Sequence, residues 1–495
     1  MTVTDLVTRM PLRLVADPGR VLARLFVPGH EQLNEQSRAT GVLARILALP
    51  DAAVSPAVER LIQRYADRHR DLEGLLLRHA SLLDHRIPDG SQIGPKRRLL
   101  LGAYFTQEVA IEGAALFNPS VVLHPDQADL GEDEVRFVVS LRAVGEGHIS
   151  CVEFRTGVWG TGADLRLDPA GRVVEAGTVG PAAQQRHQFG ALLGASGADA
   201  ESSRYLLSRL PPEFIQEDLD RAVIALRGQR LTRHGAEHTA DLARYIAQDS
   251  YGLTFEADST IAERVLYPVA PSESHGIEDA RFVRFLDDGT AEYRATYSAY
   301  DGQRIKTHTV TTADFQQFTF TPLAGPGAGN KGMALFPRKV SGRQVALSRW
   351  DRESCSITYS DDGLWWDDAV TVHVPRSAWE VIQTGNSGAP VETDAGWLVL
   401  THGVGPMREY ALGALLLDLD DPTRVLGSLE EPLLVPNEDE RTGYVPNVVY
   451  SCGVLRHQDR MLLPYGASDA SVRFATVDLL GLIERLLATS ANSSA

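Results

Sequence analysis

The stretch Ser274–Arg281, Ser-His-Gly-Ile-Glu-Asp-Ala-Arg, brings two adjacent carboxylates, a histidine and an arginine into eight residues. Apolar, β-prone runs flank it, Arg264–Val269 before and Phe282–Leu286 after. A charged cluster on a short turn between strands is a candidate site, because loops held by a rigid scaffold carry much of protein chemistry. Successive side chains of an extended segment point to opposite faces. Glu278 and Asp279 are therefore expected to face apart, one acting and the other arranging its surroundings. The plainer reading is a turn whose acids are neutralised by Arg281.

Other polar residues recur at the ends of short apolar runs. Val135–Arg142, Ala291–Tyr300, Arg343–Asp351, Gly396–Gly405 and Arg460–Asp469 each read as a strand followed by a polar or glycine-bearing turn. The last four begin 52, 53 and 64 residues apart. Periods of this size indicate repeated units of four strands. The expected fold is mainly β, a five-bladed β-propeller; a β-sandwich accounts for the short strands but less well for the repeat. A propeller gathers the ends of its inner strands around one channel. That would bring Arg142, Asp279, Tyr297, Arg349, His402 and Asp469 to a single pocket, with Asn118, Lys331, Arg338, Lys339 and Glu392 close by. Acids and bases converging beside aromatics suit a sugar, whose hydroxyls need several polar partners. The competing reading pairs these groups with one another as ion pairs at strand ends.

The elements that must position them follow from periodicity. Residues 1–112 read as a helical region: Leu43, Ile46 and Leu47 share one face, and Val58, Leu61, Ile62 and Tyr65 another. Residues 113–478 hold the β-rich domain, with a helical insertion at about 190–250. Residues 479–495 read as a C-terminal helix and a disordered tail.

Composition narrows the function. With 65 acids against 48 Lys plus Arg, the formal charge is −17, which argues against nucleic acid and anionic membranes as partners. A bound anion would need a local basic pocket. Cys151, Cys355 and Cys452 are far apart and form no Cys-x-x-Cys pair, so neither a zinc knuckle nor a disulfide framework is expected. A soluble, cytoplasmic protein is the simplest setting. His148, His275 and His402 lack metal-ligand spacing, and no metal is expected. Gly-Val-Gly at 403 opens no helix, and no Gly-x-Ser-x-Gly elbow occurs.

From about Ala115 to Val477 the chain resembles glycoside hydrolase family 130, the β-mannoside phosphorylases and mannosidases. HGIEDAR at 275–281, NKGMALFPRK at 330–339, GWLVLTHGVGP at 396–406, and GYVPNVVYSCG at 443–453 with LPYGASD at 463–469 carry the resemblance. The longer form, with helical N-terminal residues, is similar to the branch acting on β-1,2-linked oligomannosides. The resemblance implies a five-bladed propeller and an inverting mechanism with Asp279 as general acid. Ala280 stands where the family usually has proline. Lys331, Arg349 and His402 fall where the phosphorylases hold phosphate. Asn118, Arg142, Glu278, Arg281, Tyr297 and Asp469 resemble residues that hold the mannose.

The implied reaction is phosphorolysis of a terminal β-mannosidic bond in a manno-oligosaccharide, with inorganic phosphate as co-substrate and no cofactor. The first alternative is an inverting β-mannosidase using a base such as Glu392, a departure toward the family's hydrolases; the second is a non-catalytic glycan-binding propeller. The helical N-terminal region would cap the pocket or join a second copy.

Overall fold

Glu134–Val144 (EVRFVVSLRAV) concentrates β-branched, leucine and aromatic residues that suit a packed, pleated surface. It runs antiparallel between Ala115–Leu123 and Ser150–Gly160 as the centre of a first meander. The computed structural model describes residues 3–29, 38–88, 92–160, 164–287 and 289–493. The chain divides into two units, one of residues 17–113 with 171–175, the other of residues 1–16, 114–170 and 176–495.

The smaller unit is built from four helices, α1 (Arg38–Leu47), α2 (Asp51–Tyr65), α3 (Leu72–Ser81) and α4 (Pro95–Tyr104). A two-stranded antiparallel sheet of Val21–Leu25 and Thr106–Ala110 joins the two ends of this stretch. Pro95 occupies the first turn of α4, where its missing N–H costs nothing. Pro56 lies inside α2 rather than ending it.

In the larger unit four more antiparallel meanders follow the first. Gly276–Asp287, Thr290–Tyr300, Ile305–Thr312 and Gln317–Pro322 form the second. The third contains Gln344–Ser348 and Cys355–Ser360, and the fourth Gly396–Val404 and Tyr410–Leu417. The fifth pairs Arg460–Ala467 with Ser471–Asp478. Gly396–Val404 is buried along its whole length, as a strand covered on both faces must be.

The first and second meanders touch through a parallel bridge between Ser150 and Gly276. A Cβ on Gly276 would lie 2.8 Å from the Ser150 nitrogen, at a φ of 137°. Glycine alone allows this crossing, and it sets where Glu278 and Asp279 fall. Phe154, Phe282, Phe315 and Phe318 pack between the same meanders, with ring centroids 5.5–6.2 Å apart.

The helical insertion is α5 (Arg186–Ala195), α6 (Ala200–Leu207), α7 (Gln216–Arg227) and α8 (Ala236–Ala247). It buries its own core of Phe189, Leu193, Phe214, Leu219 and Val223. The Asp199 carboxylate caps α6 by accepting from the Ser202 N–H at 2.8 Å.

Two expectations need correction. Residues 1–112 are not uniformly helical: Val7–Val15 is a strand antiparallel to Ser471–Asp478. Only Met10 is buried along it, so no periodicity announces it; its partner comes from the far end of the chain. Arg9 ties it further by donating to Glu440 at 3.0 and 3.1 Å. The tail is also not disordered throughout, because α9 (Leu479–Ser493) continues through Ala488–Ser493; residues 494–495 lie outside the described ones. Burial of Leu482 and Leu486 against the fourth and fifth meanders anchors α9.

Trp397 is fully buried and meets Phe336 edge-to-face at 5.0 Å, joining the third and fourth meanders. Trp397→Ala is expected to cost about 3–5 kcal/mol, most of it from the cavity left behind. A lowered urea midpoint at unchanged slope is the readout.

Candidate active site

Alternation fails at Asp279. Register along the second meander jumps from Glu278 opposite Ser298 to Arg281 opposite Thr296. This bulge puts Asp279 at a left-handed φ of 55°. As expected, Asp279 and Glu278 do not enter one cleft together, since Asp279 lines the cavity described below and Glu278 does not; the placement on a turn is wrong, because the cluster opens the strand Gly276–Asp287. Both carboxylates meet Arg142, whose Nη2 donates to Glu278 Oε1 at 2.7 Å and whose Nη1 donates to Asp279 Oδ1 at 3.3 Å. Lys331 binds the other oxygen of Glu278. Asn118 Nδ2 donates to Asp279 Oδ1 at 2.8 Å. Asn118 is itself left-handed, at φ 48°, beside a second register shift in Ala115–Leu123.

Arg281 acts on Asp279 by its charge and makes no side-chain ion pair with either acid. It is buried as a strut, donating to the Ser387 carbonyl at 2.9 Å, the Asp279 carbonyl at 2.8 Å and the Tyr450 hydroxyl at 2.8 Å. It holds in place the peptide that carries Asp279.

These groups open onto a cavity of about 390 Å³. Its cations are Arg142, Arg281, Lys331, Arg349, Arg352 and Arg408; its carboxylates are Asp279 and Asp469. Asn118, Asn330, Gln383, His402, Tyr410 and Tyr450 add hydrogen-bonding groups. Asn118, Asp279, Asn330, Arg352, Arg408 and Asp469 all have positive φ. Such backbone costs energy at a non-glycine residue and concentrates where function needs it.

Burial by itself would raise the Asp279 pKa, but Arg142, Arg281, Lys331 and the Asn118 amide together hold it at about 2. Asp469 moves the other way: burial, reinforced by the charge of Asp279, pushes it up to about 6 against the pull of Arg142 and Arg408. Burial, with Arg349 and Arg281 nearby, drives His402 well below the ordinary histidine range. His402 is thus neutral, and neither of its ring nitrogens has a hydrogen-bond partner. Its ring packs edge-to-face on Tyr450 at 4.9 Å. The buried Nε of Arg349 is also without a partner.

Among the described residues Arg349, Arg352 and Arg408 have no carboxylate within ion-pair distance. Cations without counter-charges beside a neutral imidazole can grip an oxyanion, and the amides and acids across the cavity can hold sugar hydroxyls. No group of three or more His, Cys, Asp or Glu among the described residues could hold a metal ion.

Asn118, Arg142, Asp279, Arg281, Lys331, Arg349, His402 and Asp469 thus line one cavity, with Glu278 behind Arg142 and Lys331. Four expected residues fall elsewhere: Tyr297, Glu392, its partner Arg338, and Lys339, which pairs with Asp287 at 2.9 Å. Tyr297 is buried under the strand, its hydroxyl donating to Glu273 at 2.6 Å and lying 3.2 Å from His308 Nδ1. It stands opposite the bulge, between the paired Ser298 and Thr296, and pairs in regular register with His308 on its other side. Glu392 is held by Arg338 at 2.6–3.1 Å on the surface and does not line the cavity. Asp351 and Glu353 are also absent from the lining. Asn330, Arg352, Gln383, Arg408, Tyr410 and Tyr450 were missed. Asn330 and Tyr450 sit inside stretches already singled out, but only folding shows which side chain turns inward.

A buried neutral histidine opposes acidification, because the unfolded chain binds a proton there that the native state refuses. Stability from this source is full above the ordinary histidine pKa and falls as pH drops below it. His402→Gln should therefore lose less stability than the wild type between about pH 7 and pH 5. Urea midpoints across that range provide the check.

Comparison with known proteins adds the following. A family model for glycoside hydrolase family 130, described as beta-1,4-mannooligosaccharide phosphorylase, matches residues 237–486. The 1,2-beta-oligomannan phosphorylase of Thermoanaerobacter sp. (strain X514) is 31% identical over 248 residues, covering 48% of this chain and 81% of that protein. The Beta-1,2-mannobiose phosphorylase of Listeria innocua is 30% identical over 249 residues, 49% of this chain and 68% of that one. The solved structure of Beta-1,2-mannobiose phosphorylase from Listeria innocua with beta-1,2-mannobiose aligns at a TM-score of 0.43 and 20% identity, over 76% of this chain and 93% of that one. Asn118 and Arg142 lie outside the residues matched by the family model.

Proposed function

The chain belongs to glycoside hydrolase family 130, and on that premise we propose that it cleaves a terminal β-mannosidic bond with inorganic phosphate, releasing α-mannose 1-phosphate. The observation that carries this reading is the charge balance of the cavity: six cations against two carboxylates. Inversion requires a nucleophile on the face opposite the leaving group. A hydrolase fills that position with water and a carboxylate base. Phosphate is already anionic, so it needs cations to hold it and no base. Lys331, Arg349 and the neutral His402 are the groups suited to that task, with Asp279 delivering the proton to the leaving oxygen. The relatives named for β-1,2-linked substrates support a β-1,2-mannoside as the substrate.

The hydrolytic alternative has lost the base it called on, since the Glu392 carboxylate is engaged by Arg338 away from the cavity. A non-catalytic glycan binder would have no use for an ionised aspartate clamped among buried cations. We further read the five meanders as the blades of a five-bladed propeller. Its support is that each supplies cavity residues: Asn118 and Arg142, Asp279, Arg349, His402, and Asp469 in turn. A cytoplasmic setting is supported by three buried free thiols, Cys151, Cys355 and Cys452.

Product analysis on β-1,2-mannobiose with and without phosphate tests the reading. Mannose 1-phosphate formed only with phosphate is the expected outcome; free mannose at equal rates in both would overturn it. Asp279→Asn should lower kcat by roughly 10²–10⁴-fold, the range for losing a general acid. Arg349→Ala removes a charge-assisted donor worth roughly 1.5–3 kcal/mol, so its KM for phosphate should rise about 10–100-fold. An unchanged phosphate KM would place the anion elsewhere.

A further inference from the structure

Phosphorolysis needs a proton at the leaving oxygen, and Asp279 is poorly placed to keep one. Its Oδ1 already takes the Asn118 amide and Arg142, and Arg281 and Lys331 stand close by. An ionised carboxylate is stable in that cage.

Asp469 is the second carboxylate of the cavity and lives in a different environment. It follows the strand Arg460–Ala467, is held at a φ of 48°, and is half-buried. No described residue donates a hydrogen bond to it, and no cation lies within ion-pair distance. The charged groups that face it are Asp279, Arg142 and Arg408. Arg142 is already shared between Glu278 and Asp279, and Arg408 lies on the exposed corner after Gly405. A carboxyl group facing another carboxylate, with its nearest cation engaged twice over, is stabilised by keeping its proton.

Building on the phosphorolytic reading, we propose that Asp469 is the proton-holding partner of Asp279: the two carboxyls share one proton, Asp469 stores it, and Asp279 delivers it. In the step, an oxygen of HPO₄²⁻ bonds to the anomeric carbon as the bond from that carbon to the leaving oxygen breaks. The electron pair of that bond goes to the leaving oxygen, which takes the shared proton. The mannosyl phosphate still carries the hydrogen of HPO₄²⁻ and returns it to the carboxyl pair. The pair ends as it began, and no net proton is consumed. The elevated pKa of Asp469, about 6, fits a reservoir that is filled for a useful fraction of time near neutrality. The two groups titrate as a pair rather than as independent sites.

The test compares wild type, Asp469→Asn and Asp469→Glu on two substrates with phosphate: β-1,2-mannobiose and 2,4-dinitrophenyl β-mannoside, whose leaving group departs without protonation. Asp469→Asn should lower kcat on mannobiose by roughly 10²–10⁴-fold, and at least about tenfold less on the dinitrophenyl substrate. Asp469→Glu should retain the fall of kcat on the alkaline side of the pH profile. Equal losses on both substrates, or a raised KM with kcat intact, would reduce Asp469 to a sugar-binding group and overturn the proposal.

A second readout does not depend on the reaction. A carboxyl pKa raised on folding means that the native state loses stability as pH rises from the ordinary carboxylate range to the raised value. Asp469→Asn lacks that loss, so it should gain stability relative to wild type between about pH 4 and pH 6 and run parallel above. A flat difference would overturn the proposal even if the wild type proved not to make mannose 1-phosphate.

Discussion

The site turns on one guanidinium. Arg142 stands between Glu278 and Asp279 and gives two neighbouring buried carboxylates one shared counter-charge. Arg142 comes from the first meander and the acids from the second, so this ion cluster and the bridge from Ser150 to Gly276 fix the same joint. Lys331, just ahead of the third meander, takes the free oxygen of Glu278. Glu278 thereby serves as the anionic post on which two cavity cations are mounted. Its neighbour Asp279 is left facing the cavity.

Around this cluster the backbone departs from ideal geometry at the places where chemistry is wanted. The bulge at Asp279 and the register shift beside Asn118 each break a ladder, and each turns a polar side chain inward. A buried network beneath holds the distortion in place. Glu273 accepts from Tyr297 at 2.6 Å, from Tyr251 at 2.9 Å, and from the N–H groups of Val269 and Ala270 at 3.0 Å. These bonds secure the segment that leads into Gly276, so Tyr297 supports the site from below. Hydrogen bonds buried in this way hold more firmly than exposed ones.

The cavity thus holds three kinds of charge. Asp279 is caged as an anion, Asp469 faces it without a donor, and Arg349 and His402 keep buried nitrogens unpartnered. A fold whose purpose was stability alone would pair these groups with one another. Leaving them available around one small cavity suits a reaction that moves a phosphate and a proton together.

Much of this was legible in the chain itself. Local hydrophobic periodicity announced many of the short strands, the helices of the smaller unit and the insertion. The polar ends of the repeated runs marked Arg142, Arg349, His402 and Asp469, because a polar residue closing an apolar strand has few structural reasons to be there. Short motifs marked Asp279 and Lys331 in the same way. Non-local contacts decided the rest. The strand Val7–Val15 exists through a partner at the other end of the chain, and no period in nine residues could reveal it. Which of Glu278 and Asp279 lines the cavity was decided by the fold around a bulge and one left-handed residue. That a salt bridge to Arg338 occupies Glu392 and that Tyr297 turns to Glu273 followed from neighbours remote in sequence. Residue types and spacing determined which chemistry was available. The tertiary structure decided which groups meet, because side-chain direction and charge state are set by contacts that local sequence does not contain.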